Sequence, residues 1–146
     1  MEKVEYQNSY REKGHECENL VIRCMDFRFH KQLPGLLSEI FEEEVLEYDS
    51  PGVGGGGSKA VIDANSREVL FGAIDIAVEK HKTKRIIVVD HIDCGAYGGS
   101  GEHENPEAEE KFHAEKLGQA KEILNNKYPE LEIVTLYQDW DSIKSI

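Results

Sequence analysis

Cys24, His91 and Cys94 are the residues of this chain best suited to hold a metal. They lie in Cys24-Met25-Asp26-Phe27-Arg28 and His91-Ile92-Asp93-Cys94-Gly95. Two thiolates and one imidazole are the ligand set of a catalytic zinc site with one coordination position left over. That position belongs either to solvent or to Asp26, two residues past Cys24. Water on zinc loses a proton near neutral pH. Asp26 can accept a hydrogen bond from the resulting hydroxide, or ligate the metal and block it. Arg28 can hold Asp26 in a bidentate pair and decide between the two states.

These residues must be brought together by the elements that carry them. Asn19 to Cys24 is a short apolar, β-branched run and reads as a buried strand. Arg85 to Asp90 (R-I-I-V-V-D) is apolar on both faces, as in a central parallel strand. Val45–Tyr48 and Glu132–Tyr137 read as further strands, and the residues after Tyr137 as a tail. Helical spacing covers Phe29 to about Glu43, with Pro34 in its first turn or at its start. It returns over Ser66–His81, where Val69, Leu70, Ala73, Ile74, Ala77 and Val78 share one apolar face. Pro106 to Asn126 is a long charged helix.

Strand and helix alternate, so we expect one α/β domain over residues 1–146. Its architecture is three layers, with flanking helices on a mainly parallel sheet of about four strands. Functional loops lie past the carboxyl ends of such strands. Cys24 ends the first strand and His91 follows the Arg85–Asp90 strand, so both half-sites fall on one sheet edge.

Composition sets outer bounds. A net charge of −12 argues against nucleic acid and anionic membrane as partners. No apolar run approaches membrane length, no leader pattern opens the chain, and a cytoplasmic protein is expected. Three cysteines fit a disulfide framework poorly. Cys17 is the spare: seven extended residues span up to about 23 Å, too far to share a metal with Cys24. Ser50 to Ser58 must be a loop. Its Gly52–Gly57 run, then Ser58-Lys59, has the wrong order for a phosphate loop, which needs Lys before Ser. A close-packed or linker-like loop is the simpler reading. His103 is a candidate proton shuttle at the site mouth. His15, His30 and His81 read as surface residues. Glu102, Glu104, Glu107, Glu109 and Glu110 read as a solvated acidic face.

Cys-x-Asp-x-Arg, followed downstream by His-x-x-Cys-Gly after an Ile/Val-rich strand, resembles the β-class carbonic anhydrases. The match is carried by Cys24, Asp26, Arg28, His91, Cys94 and Gly95 and covers roughly residues 19–98. The resemblance implies zinc on Cys24, His91 and Cys94, with Asp26 and Arg28 as catalytic dyad. It implies attack of zinc hydroxide on CO2 to give bicarbonate, and a dimer or higher homo-oligomer. There are departures. The chain is short for the family, and the N-terminal arm that embraces the partner is missing or reduced to residues 1–18. Asp49-Ser50-Pro51-Gly52-Val53-Gly54 stands where the family has an Arg-Asn-Ala-Gly-like segment. Phe27 replaces a small residue and is expected to narrow the pocket. Two rival readings follow: a zinc hydrolase for another small electrophile such as CS2 or COS, and a non-catalytic zinc protein closed by Asp26.

Overall fold

The computed structural model describes residues 10, 12–51 and 57–146. Four strands form one sheet in the order β1 (Asn19–Arg23), β2 (Arg85–His91), β3 (Glu132–Gln138) and β4 (Ile143–Ser145). The first three are parallel and β4 runs antiparallel on β3. Side chains alternate across the pleat. Leu20, Ile22, Ile86, Val88 and Ile133 point into one apolar cluster, and Val21, Ile87, Val89 and Leu136 into another.

The first cluster is covered by α3 (Gly57–Ile62), α4 (Ala64–Ile76) and α5 (Pro106–Lys127), through Ala60, Val61, Leu70, Ile74, Leu117, Ala120 and Leu124. The second is covered by α2 (Leu33–Ile40), through Leu33 and Leu37. This is the expected three-layer α/β architecture. The Asn105 carboxamide caps α5 by accepting from the Ala108 N–H at 2.8 Å, with Pro106 in the first turn. Asp63 caps α4.

Several elements depart from the sequence reading, each for a local reason. Val45–Tyr48 is not a strand: only Asp49 bridges Leu20. Side chains take the hydrogen bonds a ladder would have made. Ser38 Oγ accepts from the Leu46 N–H and Asn19 Nδ2 donates to the Glu47 carbonyl. The fourth strand is instead β4, in the segment read as a tail. The helix expected over Phe29–Glu43 is two pieces, α1 (Phe27–His30) and α2. Pro34 has no N–H to continue the ladder from α1, so the helix restarts around it. Gly57 and Ser58, expected at the end of the Ser50–Ser58 loop, instead open the helix Gly57–Ile62. On α4, Val69 and Ile76 are exposed. They lie seven residues apart on one outward stripe, while Leu70, Ile74 and Ala77 face in.

Gly57 sits where α3 meets the β2 backbone; a Cβ there would lie 2.1 Å from the Val89 carbonyl oxygen. Close packing at this glycine is therefore obligatory. Residues 1–9, Arg11 and 52–56 lie outside the described residues. Among the described residues, no helix is long and apolar enough to cross a membrane.

Candidate metal centre

β1 and β2 are paired in parallel, with Arg23 opposite Val89. Their carboxyl ends therefore finish side by side. Cys24 is the first residue beyond β1, His91 is the last of β2, and Cys94 follows on the turn after it. The ligand atoms of the three lie within 4.8 Å of one another. His91 and Cys94 are buried and Cys24 is half-buried.

The imidazole is set up as a ligand. His91 Nδ1 lies 2.7 Å from the Ile92 carbonyl, which can only accept, so Nδ1 carries the proton. Nε2 is then the lone-pair nitrogen, and it is buried with no hydrogen-bond partner. Such an orphaned acceptor is costly unless something binds it. The Phe29 ring, 4.2 Å from the imidazole, fixes its tilt, and Trp140 stacks on Phe29 at 5.1 Å.

The thiols are electrostatically linked. A hydrogen bond from Cys94 brings the Cys24 thiol well down, against the opposing effect of burial, and His91 adds to this. The same hydrogen bond, together with burial, pushes the Cys94 thiol far up. Burial opposes protonation of His91, but Cys24, the Ile92 carbonyl and the Asp26 carboxylate together outweigh it and leave its pKa raised. One negative charge is thus stable in the cluster and a second is repelled by the first. A divalent cation removes that repulsion and lets both thiols ionise. Donor set, free lone pair and charge all fit a soft or borderline metal.

Asp26 and Arg28 stand beside the cluster. Asp26 is the cap of α1: its carboxylate accepts from the Arg28 N–H at 3.0 Å. Arg28 Nε donates to both carboxylate oxygens at 3.0 and 3.1 Å, and Nη2 to Oδ2 at 2.6 Å. This pairing holds the Asp26 carboxyl down at about 2. Asp26 is outside the group of mutually close ligand atoms. Arg28 also reaches Asp93, with Nη1 donating to Oδ2 at 2.8 Å and Nη2 to the carbonyl at 3.2 Å. The guanidinium lies 5.3 Å from the centre of the Trp140 ring.

Phe27 does not narrow the pocket; its side chain is 82% exposed. Phe29 and Trp140 supply the aromatic wall instead. Glu109 does not belong to a solvated face. It is 1% exposed and accepts from the Asp93 N–H and the Ser100 hydroxyl, both at 2.6 Å. His113 is fully buried and its Nδ1 pairs with Asp90 Oδ2 at 2.9 Å. Glu109, His113, Leu117, Ala120 and Leu124 form the buried stripe of α5. Their three- and four-residue spacing marks one helix face, but residue type alone gives no sign that Glu109 and His113 are buried on it. His103 packs on Phe112 at 5.0 Å. His15 is exposed, His81 pairs with Asp49, and half-buried His30 places Nε2 3.2 Å from the Cys24 carbonyl. Ser58 holds no phosphate-loop geometry, because its N–H and hydroxyl both donate to Asp90, at 2.6 and 2.5 Å.

Comparison with known proteins bears on the family and the fold. A family model described as "Putative carbonic anhydrase" matches residues 14–144. An uncharacterised protein of Rickettsia conorii is 30% identical over 150 residues, covering 97% of this chain and 77% of that one. An uncharacterised protein of Rickettsia bellii is 27% identical, covering 97% and 88%. Among solved structures, one of two tetrameric β-carbonic anhydrases of the fungus Sordaria macrospora superposes with a TM-score of 0.50. It is 20% identical, with 91% of this chain and 82% of that one covered, so it speaks to the fold. The shared fold and the family match over nearly the whole chain place this protein in the carbonic anhydrase family, as a divergent relative of the β class.

Proposed function

We propose that the chain catalyses the reversible hydration of CO2 to bicarbonate, with zinc held by Cys24, His91 and Cys94. The observation that carries this reading is the unpartnered, buried Nε2 of His91 among two thiols, next to an Asp–Arg pair. A zinc ion there would supply Lewis acidity, lowering the pKa of water so that hydroxide is available near neutral pH. The protein's own groups do the rest. His91 keeps its lone pair on the metal side because Nδ1–H is committed to the Ile92 carbonyl. Asp26, anionic through the neutral range, is the acceptor that orients the nucleophile's hydroxyl proton. Arg28 neutralises that carboxylate and aims it. Phe29 and Trp140 border the site with apolar surface suited to an uncharged, linear substrate.

The capture of Asp26 by Arg28 supports an open site over the non-catalytic reading, in which Asp26 would ligate the metal. We further propose a homo-oligomer. Met25 and Phe27, exposed beside the site, suit a subunit contact, and the Sordaria macrospora enzymes are tetrameric. A reduced, cytoplasmic setting suits free thiol ligands. The deciding experiment is stopped-flow CO2 hydration on protein of measured zinc content. Full zinc with no hydration between pH 7 and 9 would overturn the activity and leave the closed-site or CS2/COS readings.

A further inference from the structure

We propose that Asp93 is a positioning residue: it locks the plane of Arg28 and so fixes the direction in which Asp26 points. This rests on the reading of Asp26 and Arg28 as the working dyad. A guanidinium offers five N–H groups on a rigid fork. Asp26 takes the Nε and Nη2 edge. A single edge leaves the pair free to hinge about their shared hydrogen bonds. Asp93 removes that freedom by taking Nη1 on its carboxylate and Nη2 on its carbonyl.

Asp93 is itself held at three points. Its N–H donates to buried Glu109, its Oδ1 accepts from the Ser100 N–H at 2.9 Å, and its Oδ2 takes Arg28. Its backbone is left-handed, at φ 55°, a conformation that Asp, Asn and Gly adopt most readily. Glu109 accepts from Ser100 Oγ with its other oxygen, so α5 anchors the turn. Asp93 lies between His91 and Cys94 in the chain. The acid–guanidinium pair from the end of β1 is thereby tied to the turn that carries two of the three ligands, and pair and cluster move as one body.

Two substitutions test this while respecting the backbone. Asp93→Asn keeps the left-handed turn but has one carbonyl oxygen for two donors, Ser100 N–H and Arg28. Asp93→Gly keeps the turn and removes the side chain. In zinc-loaded full-length protein we expect each to lower CO2 hydration per bound zinc by about tenfold or more, the usual effect of losing a ligand-supporting group. Combined with Arg28→Ala, either should cause little further loss, because Asp93 acts through Arg28. Proton exchange at Arg28 Nε–H, followed by NMR, should be slow in the parent and faster in both variants. Unchanged exchange and activity in both variants overturns the proposal. So does a loss that adds fully to that of Arg28→Ala, or a loss of zinc with activity per zinc unchanged. If the parent hydrates no CO2, the proposed function fails but the Nε–H measurement still decides whether Asp93 holds Arg28.

Discussion

Both ends of the β1–β2 pair carry cysteine and histidine, Cys24, His91 and Cys94 at the carboxyl end and Cys17 with His81 at the amino end, and of the two only the carboxyl end gathers groups that could hold a metal. At the carboxyl end, Cys24, His91 and Cys94 converge. At the amino end, Cys17 and His81 are also neighbours, with the Cys17 N–H donating to the His81 carbonyl at 2.8 Å. His81 Nδ1 is spent on Asp49 at 2.6 Å, and the Cys17 thiol leans on the Asn19 carbonyl at 3.5 Å. Burial pushes the Cys17 thiol up, whereas the Cys94 thiol brings Cys24 well down. The carboxyl end has one cysteine more, and the ends differ as well in how their polar groups are satisfied. One end leaves a buried lone pair unmatched and the other satisfies its polar groups internally. An unsatisfied buried donor set is what a metal compensates.

The sharpest way to break this comparison is to remove one thiol from each end. Cys94→Ser should lose most of the bound zinc, while Cys17→Ser should keep all of it, as measured by metal analysis after purification without chelator. Equal zinc in both would sink the assignment. Next comes the dyad. Arg28→Ala should retain zinc near the parental level and lose about 10²-fold in CO2 hydration, the scale of a lost positioning group. Parental activity in that variant would make the pair merely structural.

The thiols themselves give a middle-sized effect. In protein stripped of metal at about pH 6.5, iodoacetamide should label Cys24 well before Cys17, because the thiolate is the nucleophile. Zinc should then protect Cys24 and leave the slow labelling of Cys17 unchanged. Mass-spectrometric mapping that found Cys17 first would erase the contrast between the ends.

The smallest effect is on stability. Asp26 is held at about 2 against an ordinary 3.8. A depressed carboxyl stabilises the fold above its unfolded value and loses that contribution as pH falls through its folded value. Asp26→Asn should therefore be less stable than the parent at pH 6, with the gap closing between about pH 4 and pH 2. The pair is partly exposed, so the gap is small and shrinks in salt. Urea denaturation at several pH values measures it; a gap independent of pH would mean that the charge contributes nothing.

The chemistry-bearing residues and the parallel core were legible along the chain because both depend on local pattern. The R-I-I-V-V-D run must be buried on both faces, and a parallel pair brings Cys24 and His91 to one edge whatever the loops do. The apolar stripe of α4 is legible in phase, with Leu70, Ile74, Ala77 and Val78 on the core side, and only Val69 at its edge turns outward. Val45–Tyr48 and β4 were exchanged. A short edge segment joins or leaves a sheet according to what competes for its hydrogen bonds, and Ser38 and Asn19 win that competition here.

What no one-dimensional reading could reach are the polar groups whose partners lie far along the chain. Glu109 is buried because Asp93 and Ser100 meet it, His113 because Asp90 does, and Arg28 is pinned from 65 residues away. A carboxylate in a sequence carries no sign of burial, since its desolvation is offset only by donors that tertiary folding delivers. Sequence alone determined which atoms can bind a metal and on which edge they stand. The tertiary structure decided that Nε2 of His91 is left free, that Asp26 is captured by Arg28, and that Asp93 holds both in place. Those outcomes depend on side-chain placement to within about an ångström, which only close packing sets.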